Sequence, residues 1–234
     1  MTTPALLECR GLDAGYGDVA IVRGLDLRVE SGEVVALIGA NGAGKTTTML
    51  TLAGSLPPLG GEVRFRGELT KAPLFQRARN GMSFVTEERS IFSRLSTADN
   101  LRVARVSRSD TFALFPELEP LMRRSAGLLS GGEQQMLTLA RALARDPVLL
   151  LADELSLGLA PLVVRRLLDA VRTVASEKGV GVLLVEQHVR RALGVADRVY
   201  VMQRGQIAME GPVDEVRRSF DEIEATYLAH GREV

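Results

Sequence analysis

Short, continuous apolar runs alternate along the chain with longer stretches in which apolar positions recur every three or four residues. The short runs are rich in Val, Leu and Ile and predict buried strands, whereas the longer periodicity predicts helices. The strand-like runs cover 33–38, 82–86, 148–152 and 180–185. The helical stretches cover 44–53, 97–104, 130–145 and 161–177. Strands that alternate with helices in this way favour a doubly wound α/β core.

Two further regions predict antiparallel strands outside that core. Residues 6–9 and 19–30 come before it and predict β segments, with turns at AGYGD and ESGE. Residues 198–211 come after it and predict a hairpin that turns at Arg204 and Gly205. The segment 105–129 mixes Pro, Arg and Ser with short apolar clusters, and it predicts a small helical insertion.

Composition limits the classes of protein that fit this pattern. Lys and Arg together number 29, as do Asp and Glu, so the charge gives no reason to expect nucleic acid as a partner. Cys9 is the single cysteine, which excludes an internal disulfide and favours a reducing compartment. The apolar runs are far shorter than the roughly 20 residues of a membrane-spanning helix. Any attachment to a membrane is therefore expected to come through a partner.

A glycine-rich stretch follows the first predicted core strand and opens a helix. It reads Gly39, Ala40, Asn41, Gly42, Ala43, Gly44, Lys45, Thr46, with Thr47 directly after, and it matches the phosphate-loop pattern G-x-x-x-x-G-K-[ST]. Backbone N–H groups and the helix N-terminus of such a loop face phosphate charge. The pattern predicts a nucleotide site in which Lys45 reaches the β- and γ-phosphates and Thr46 ligates Mg²⁺. The alternative is a glycine-rich turn in a fold that binds no nucleotide.

Two carboxylates end a second core strand, in the run LLLADE at 149–154. An apolar strand that ends in acids is common and indicates little alone. In a chain with a phosphate loop, however, Asp153 is predicted to hold Mg²⁺ and Glu154 to polarise the attacking water.

A second glycine turn, LSGGEQQ at 129–135, begins another predicted helix. Ser130 and Glu133 have the spacing of a capping box, which by itself is a structural feature. Gly131 and Gly132 leave the first turn free of side chains, so the helix start is also a candidate anion site. One small nucleotide does not need two such helix ends in one chain, unless the second serves a nucleotide held by another subunit.

With these motifs, the chain resembles the ATP-binding cassette subunit of an ABC transporter over essentially all 234 residues. The resemblance implies a single ABC ATPase domain over 1–234. That fold is a P-loop NTPase with a RecA-like α/β core, an antiparallel β subdomain and a helical subdomain at about 88–145. It also implies two cassettes that face head to tail with ATP and Mg²⁺ between them. Tyr16 would stack on adenine, and Ser130, Gly131 and Gly132 would contact the γ-phosphate held by the other subunit.

Several strings resemble one ATPase subunit of the branched-chain amino-acid importers: GANGAGKTT, LSGGEQQML, SLGLAP, VEQ and the Tyr-Leu pair at 227–228. That group often has glutamate in the segment that links nucleotide to permease, and Glu87 occupies that position. The neighbours Thr86 and Glu88 depart from its usual pattern. Leu155 also stands where the family usually has proline, and Ala160 where other cassettes place an aspartate across the dimer.

The residue at the family's switch position, where most cassettes have histidine, is either Gln187 or His188. Family spacing places it ten residues before the aspartate that matches Asp197, which selects Gln187. The end of the strand at Val185 gives the same register. Choosing His188 requires a slip of one residue. A glutamine can donate an amide hydrogen bond to the γ-phosphate, but it cannot titrate.

The resemblance therefore implies the ATP-hydrolysing subunit of an importer, bound at the cytoplasmic face of the membrane to a separate permease. Its expected partners are integral-membrane permease subunits, a second ABC ATPase subunit (a heterodimer is favoured, a homodimer is possible) and, indirectly, a substrate-binding protein. Branched-chain amino acids are the expected cargo, and urea or short amides are the alternative. Two other classes remain open: a cassette ATPase that acts on DNA or ribosomes, and a regulatory nucleotide-binding module with little hydrolysis.

Overall fold

The computed structural model describes residues 4–143 and 146–219. The Tyr-Leu pair at 227–228 and the last two residues of the predicted helix 130–145 lie outside them. The strands are β1 Leu7–Tyr16, β2 Val19–Val29, β3 Val34–Gly39, β4 Gly60–Phe65, β5 Glu68–Leu69, β6 Met82–Val85, β7 Leu149–Asp153, β8 Gly181–Glu186, β9 Arg198–Gln203 and β10 Gln206–Pro212. The α-helices are α1 Lys45–Ala53, α2 Leu74–Arg79, α3 Thr97–Val103, α4 Arg108–Leu114, α5 Gly131–Leu143, α6 Pro161–Lys178, α7 Val189–Leu193 and α8 Val213–Arg218.

The predicted core strands form a six-stranded sheet in the order β10-β9-β3-β8-β7-β6. Neighbouring strands from β9 to β6 are parallel, and β10 pairs with β9 in the antiparallel direction. All four core strands lie within one residue of their predicted ends. The predicted hairpin is also present, and its turn at Arg204 and Gly205 has positive φ at both residues, which matches the twist of the flanking strands.

The two faces of the parallel sheet pack against different layers, because successive side chains on a strand point to opposite faces. On β7, Leu150 and Ala152 join a core with α5 and α6. Leu149 and Leu151 join a second core with α1 and the antiparallel sheet. Since both faces are covered, these strands are continuous apolar runs rather than alternating ones.

The antiparallel sheet has the order β2-β1-β4-β5 and extends further than predicted. β1 continues from the predicted segment 6–9 through the presumed turn to Tyr16. Register shifts after Cys9 and Leu12 accommodate this part of the strand. Gly11, with a φ of +55°, donates its N–H to the Asp26 carboxylate over 2.6 Å at this irregularity. β4 and β5 were not predicted, since their glycines and charged residues hide the strand period.

The segment 105–129 is helical, as predicted. It contains α4 and two 3₁₀ segments, Pro116–Leu121 and Ala126–Leu128. Ser96 and Ser107 cap α3 and α4 by accepting from backbone N–H groups three residues later. Phe115 and Leu118 are fully buried and attach this region to the core beside α5. Within residues 4–143 and 146–219, no helix is long and apolar enough to cross a membrane.

A buried arginine on α2 stabilises the C-terminal end of α1. The Arg77 guanidinium is 2% exposed. It donates to the carbonyls of Leu52 at the end of α1 and of Ala72, the latter over 2.7 Å. A cation at a helix C-terminus satisfies carbonyls that lack partners within the helix and interacts favourably with the helix dipole.

Replacing Arg77 with leucine is expected to lower the free energy of unfolding by about 2–4 kcal/mol, because several buried carbonyls lose their donor. Urea denaturation of the full chain measures this change. Arg79→Leu on the same helix is the matched control, since Arg79 is exposed and lies over the Phe75 ring. The control should shift the free energy by no more than about 0.5 kcal/mol. Equal effects of the two substitutions would contradict the supporting role of Arg77.

Candidate nucleotide-binding site

The phosphate loop runs from the end of β3 into α1 and is held closely by the β9–β10 hairpin. Gly205 donates its N–H to the Ala43 carbonyl over 3.0 Å. A side chain at Gly39 would place its Cβ 2.5 Å from the Met202 carbonyl oxygen. Gly44 has a φ of +106°, which side chains rarely adopt. These glycines therefore let the backbone form a narrow cradle that ends on the N-terminus of α1.

Lys45, the first residue of α1, folds back over this cradle and is only 5% exposed. Its ammonium donates to the carbonyls of Gly39, over 2.8 Å, and Ala40, over 3.1 Å. Burial lowers the pKa of Lys45, and the carboxylates of Glu154 and Asp153 oppose that shift. Hydrogen bonds to neutral carbonyls are weaker than those to a phosphate anion. The ammonium is thus positioned to exchange the carbonyls for phosphate.

Asp153, the last residue of β7, is 2% exposed and faces Thr46. Burial raises the pKa of Asp153 to about 6, and a hydrogen bond from the Thr46 hydroxyl opposes that shift. The Oδ1 atom is buried without a hydrogen-bond partner. A carboxylate and a hydroxyl are the hard oxygen ligands that Mg²⁺ prefers. The two residues predicted as metal ligands therefore lie together. Because Asp153 Oδ1 has no hydrogen-bond partner, it can serve as a ligand, and the pair fits Mg²⁺.

Glu154 lies immediately beyond β7 with a φ of +51°. Its N–H donates to the Val185 carbonyl over 3.0 Å, which joins this residue to the end of β8. The Gln187 amide donates to Glu154 Oε1 over 2.7 Å. His188 is exposed and occupies the N-cap position of α7. The structure thus brings Gln187 beside Glu154 and leaves His188 exposed at the surface. The contact of Gln187 with the γ-phosphate stays a prediction.

The second glycine turn has the predicted capping box. Ser130 donates its N–H to Glu133 Oε2 over 2.7 Å, and Glu133 donates its N–H to Ser130 Oγ over 3.3 Å. A Cβ at Gly132 would lie 2.8 Å from a Val163 methyl group, so the close approach of α6 requires glycine. The contact of this turn with a second subunit's nucleotide stays a prediction, because one chain holds one side of such a site.

The remaining predicted residues lie at the edges of this region. Tyr16 ends β1 and is 52% exposed, and its stacking on adenine stays a prediction. Glu87 is exposed and lines a cleft with Gln134, Gln135 and Glu154. Leu155, which stands where the family usually has proline, is buried in the core next to Glu154.

Sequence reasoning overlooked a buried polar group next to the switch position. Glu186, the last residue of β8, is 1% exposed and accepts a hydrogen bond from Ser156 over 2.7 Å. The signal was available, because Glu186 ends an apolar strand just as Asp153 does.

Comparison with known proteins places this constellation in a family. The sequence profile described as ABC transporter matches residues 22–156, more than half of the chain. The chain belongs to the ABC transporter family. As a member, it is an ATPase subunit that powers transport, and such subunits dimerise and work with membrane permease components.

The chain is similar in sequence to two ABC proteins of named function and in structure to a solved ATP-binding subunit. The chain is 41% identical over 204 residues to the high-affinity branched-chain amino acid transport ATP-binding protein BraG of Pseudomonas aeruginosa, covering 83% of this chain and 87% of BraG. It is 34% identical over 239 residues to the lipopolysaccharide export system ATP-binding protein LptB of Escherichia coli strain K12, covering 96% and 97% of the two chains. The solved structure of an ATP-binding subunit of an ABC transporter matches with a TM-score of 0.80 at 28% identity, over 95% of this chain and 99% of the other. The predicted cassette fold is therefore confirmed.

The adjacent pair Gln187 and His188 allows a matched test of the switch position. Gln187→Ala is expected to lower the ATP turnover of the assembled transporter by about 10-fold or more, because Glu154 loses its donor and the site loses an amide. His188→Ala should leave turnover within about twofold of the wild type, since its side chain faces solvent. Steady-state phosphate release measures both. Loss of turnover in His188→Ala with near-normal Gln187→Ala would contradict the register.

Proposed function

We propose that this chain is the cytoplasmic ATPase subunit of an importer for branched-chain amino acids. The observation that carries the proposal is its 41% identity to BraG over most of both chains. Glu87 in the cleft beside Glu154 is consistent with it, because the amino-acid importers often have glutamate at this position. In this role the chain forms one ABC ATPase domain over 1–234, with a helical subdomain at about 88–145.

ATP would lie along the phosphate loop with its phosphates at the N-terminus of α1. The backbone N–H groups of residues 39–47 and the Lys45 ammonium bind the phosphate oxygens, and Tyr16 stacks on the adenine. Thr46 and Asp153 would hold Mg²⁺, which when bound neutralises charge on the β- and γ-phosphates. Asp153 Oδ1, buried and without a partner, supports that assignment.

Glu154 acts on the attacking water in this proposal. Its carboxylate orients the water and accepts a proton as the water oxygen attacks the γ-phosphorus, while the bond from that phosphorus to the bridging oxygen breaks and ADP leaves with the bond's electron pair. The Gln187 amide, 2.7 Å from Glu154 Oε1, fixes the carboxylate and can also donate to the γ-phosphate. Catalysis then rests on positioning and electrostatic stabilisation, since no group of the chain forms a covalent bond to the phosphate.

A second ABC ATPase subunit completes the site. The turn of Ser130, Gly131 and Gly132 would contact the γ-phosphate of the nucleotide held by the partner, and a heterodimer is the favoured pairing. Closure of the dimer on ATP would drive permease subunits at the cytoplasmic face of the membrane, with the Glu87 segment at that contact. A separate substrate-binding protein would deliver the amino acid.

A second candidate function is favoured by the similarity to LptB, which extends over nearly the full length of both chains. In that case the same ATPase chemistry would power lipid export rather than uptake. The two functions share every residue of the nucleotide site, so cargo distinguishes them.

Transport assays with the assembled complex test the proposal. The chain is combined in proteoliposomes with the permeases, second ATPase and binding protein encoded beside its gene, and uptake of labelled leucine and urea is measured. Leucine should be taken up and should stimulate ATP hydrolysis. Glu154→Gln should bind ATP yet lower both rates by about 100-fold or more. Urea uptake without leucine uptake, or neighbouring genes for a lipid exporter, would overturn the assignment of cargo.

A further inference from the structure

Three polar side chains converge behind the switch position in a region that is otherwise apolar. The Ser156 hydroxyl donates to Glu186 Oε2 over 2.7 Å, and Arg191 of α7 donates to the same hydroxyl over 3.0 Å. Glu186 and Ser156 are 1% and 3% exposed. None of the three has a role in the proposed ATPase mechanism so far.

This cluster and the catalytic pair form two adjacent cross-links between the same two strand ends. Gln187 joins Glu154, and Glu186 joins Ser156, which follows Glu154 by two residues. The backbone bond from Glu154 to Val185 lies beside them. Three consecutive residues at the end of β8, Val185 to Gln187, therefore hydrogen-bond to the segment 154–156. A displacement of Ser156 would turn the Glu154 carboxylate away from its position.

Packing alone does not account for a carboxylate at this place. The preceding residues of β8, from Val182 to Val185, are all apolar and fully buried. Glu186 Oε1 is buried without a hydrogen-bond partner. An incompletely paired buried carboxylate costs free energy that an apolar side chain would not. Burial also raises the pKa of Glu186 to about 7, which reflects the same cost.

Electrostatic contact connects the cluster to the nucleotide site. Glu186 interacts electrostatically with Glu154, Arg191 and Lys45. Its neighbours are thus the proposed catalytic carboxylate, the phosphate-binding lysine and an arginine that holds the same serine.

We propose that Glu186 is a positioning residue for ATP hydrolysis, which holds Ser156 and thereby sets the orientation of Glu154 and Gln187. The inference rests on the proposed catalytic role of Glu154. It assigns a function to the Glu186–Ser156–Arg191 cluster in turnover rather than in nucleotide binding, because no side-chain hydrogen bond within residues 4–143 and 146–219 joins its members to the phosphate loop.

The test compares Glu186→Ala, Glu186→Gln and Ser156→Ala in the assembled transporter, with Glu177→Ala on the exposed end of α6 as the control. The kcat and KM for ATP are measured together with the thermal unfolding midpoint of each chain. Glu186→Ala and Ser156→Ala should lower kcat by about 10-fold, with KM within about threefold of the wild type. Glu186→Gln should recover most of the rate, since its amide oxygen can still accept from Ser156. Glu177→Ala should match the wild type.

A wild-type kcat in Ser156→Ala and Glu186→Ala would overturn the proposal, as would a loss confined to KM or one matched by a comparable loss in Glu177→Ala. If Glu186→Ala does not fold, the other two variants test the proposal. Ser156→Ala must then lower kcat by about 10-fold, and Glu186→Gln must keep most of the wild-type kcat. A Glu154→Gln chain that hydrolyses ATP at the wild-type rate would instead overturn the proposed catalytic role of Glu154. The two failures are therefore distinguishable.

Discussion

The parallel pairing of β3, β8 and β7 is the constraint on which the rest of the site depends. Ile38 lies opposite Glu186, and Asp153 lies opposite Val185 in these ladders. Because parallel strands point the same way, their carboxyl ends meet at one edge of the sheet, where ligands bind in open α/β folds. The phosphate loop, the acidic strand end and the switch segment are far apart in sequence. Register alone brings them within hydrogen-bond distance of one another.

Burial at this edge gives the site its electrostatic character. The apolar sheet and its two covering layers raise the pKa of Asp153 to about 6 and of Glu186 to about 7, and they lower that of Lys45. Each charge is therefore less well solvated than in water and interacts more strongly with charges nearby. In a transporter ATPase such preorganised groups can act on phosphate charge without first being desolvated.

Much of the fold and of the candidate site was accessible from sequence because both depend on local patterns. Continuous apolar runs gave the buried strands, and glycine spacing gave the loop before Lys45. The bulged continuation of β1 was missed, since Gly11 and its neighbours have the composition of a turn and only long-range pairing makes them a strand. The Glu186–Ser156 contact joins positions 30 residues apart and has no local signature.

A crystal structure of the Glu154→Gln chain with ATP and Mg²⁺ tests the central claim, that this sheet edge is built to receive a magnesium nucleotide. We expect the Lys45 ammonium to leave the carbonyls of Gly39 and Ala40 for phosphate oxygens. We also expect Asp153 Oδ1 and the Thr46 hydroxyl to gain the metal or its water as partners. Nucleotide bound elsewhere, with Lys45 still on the two loop carbonyls, would contradict the account.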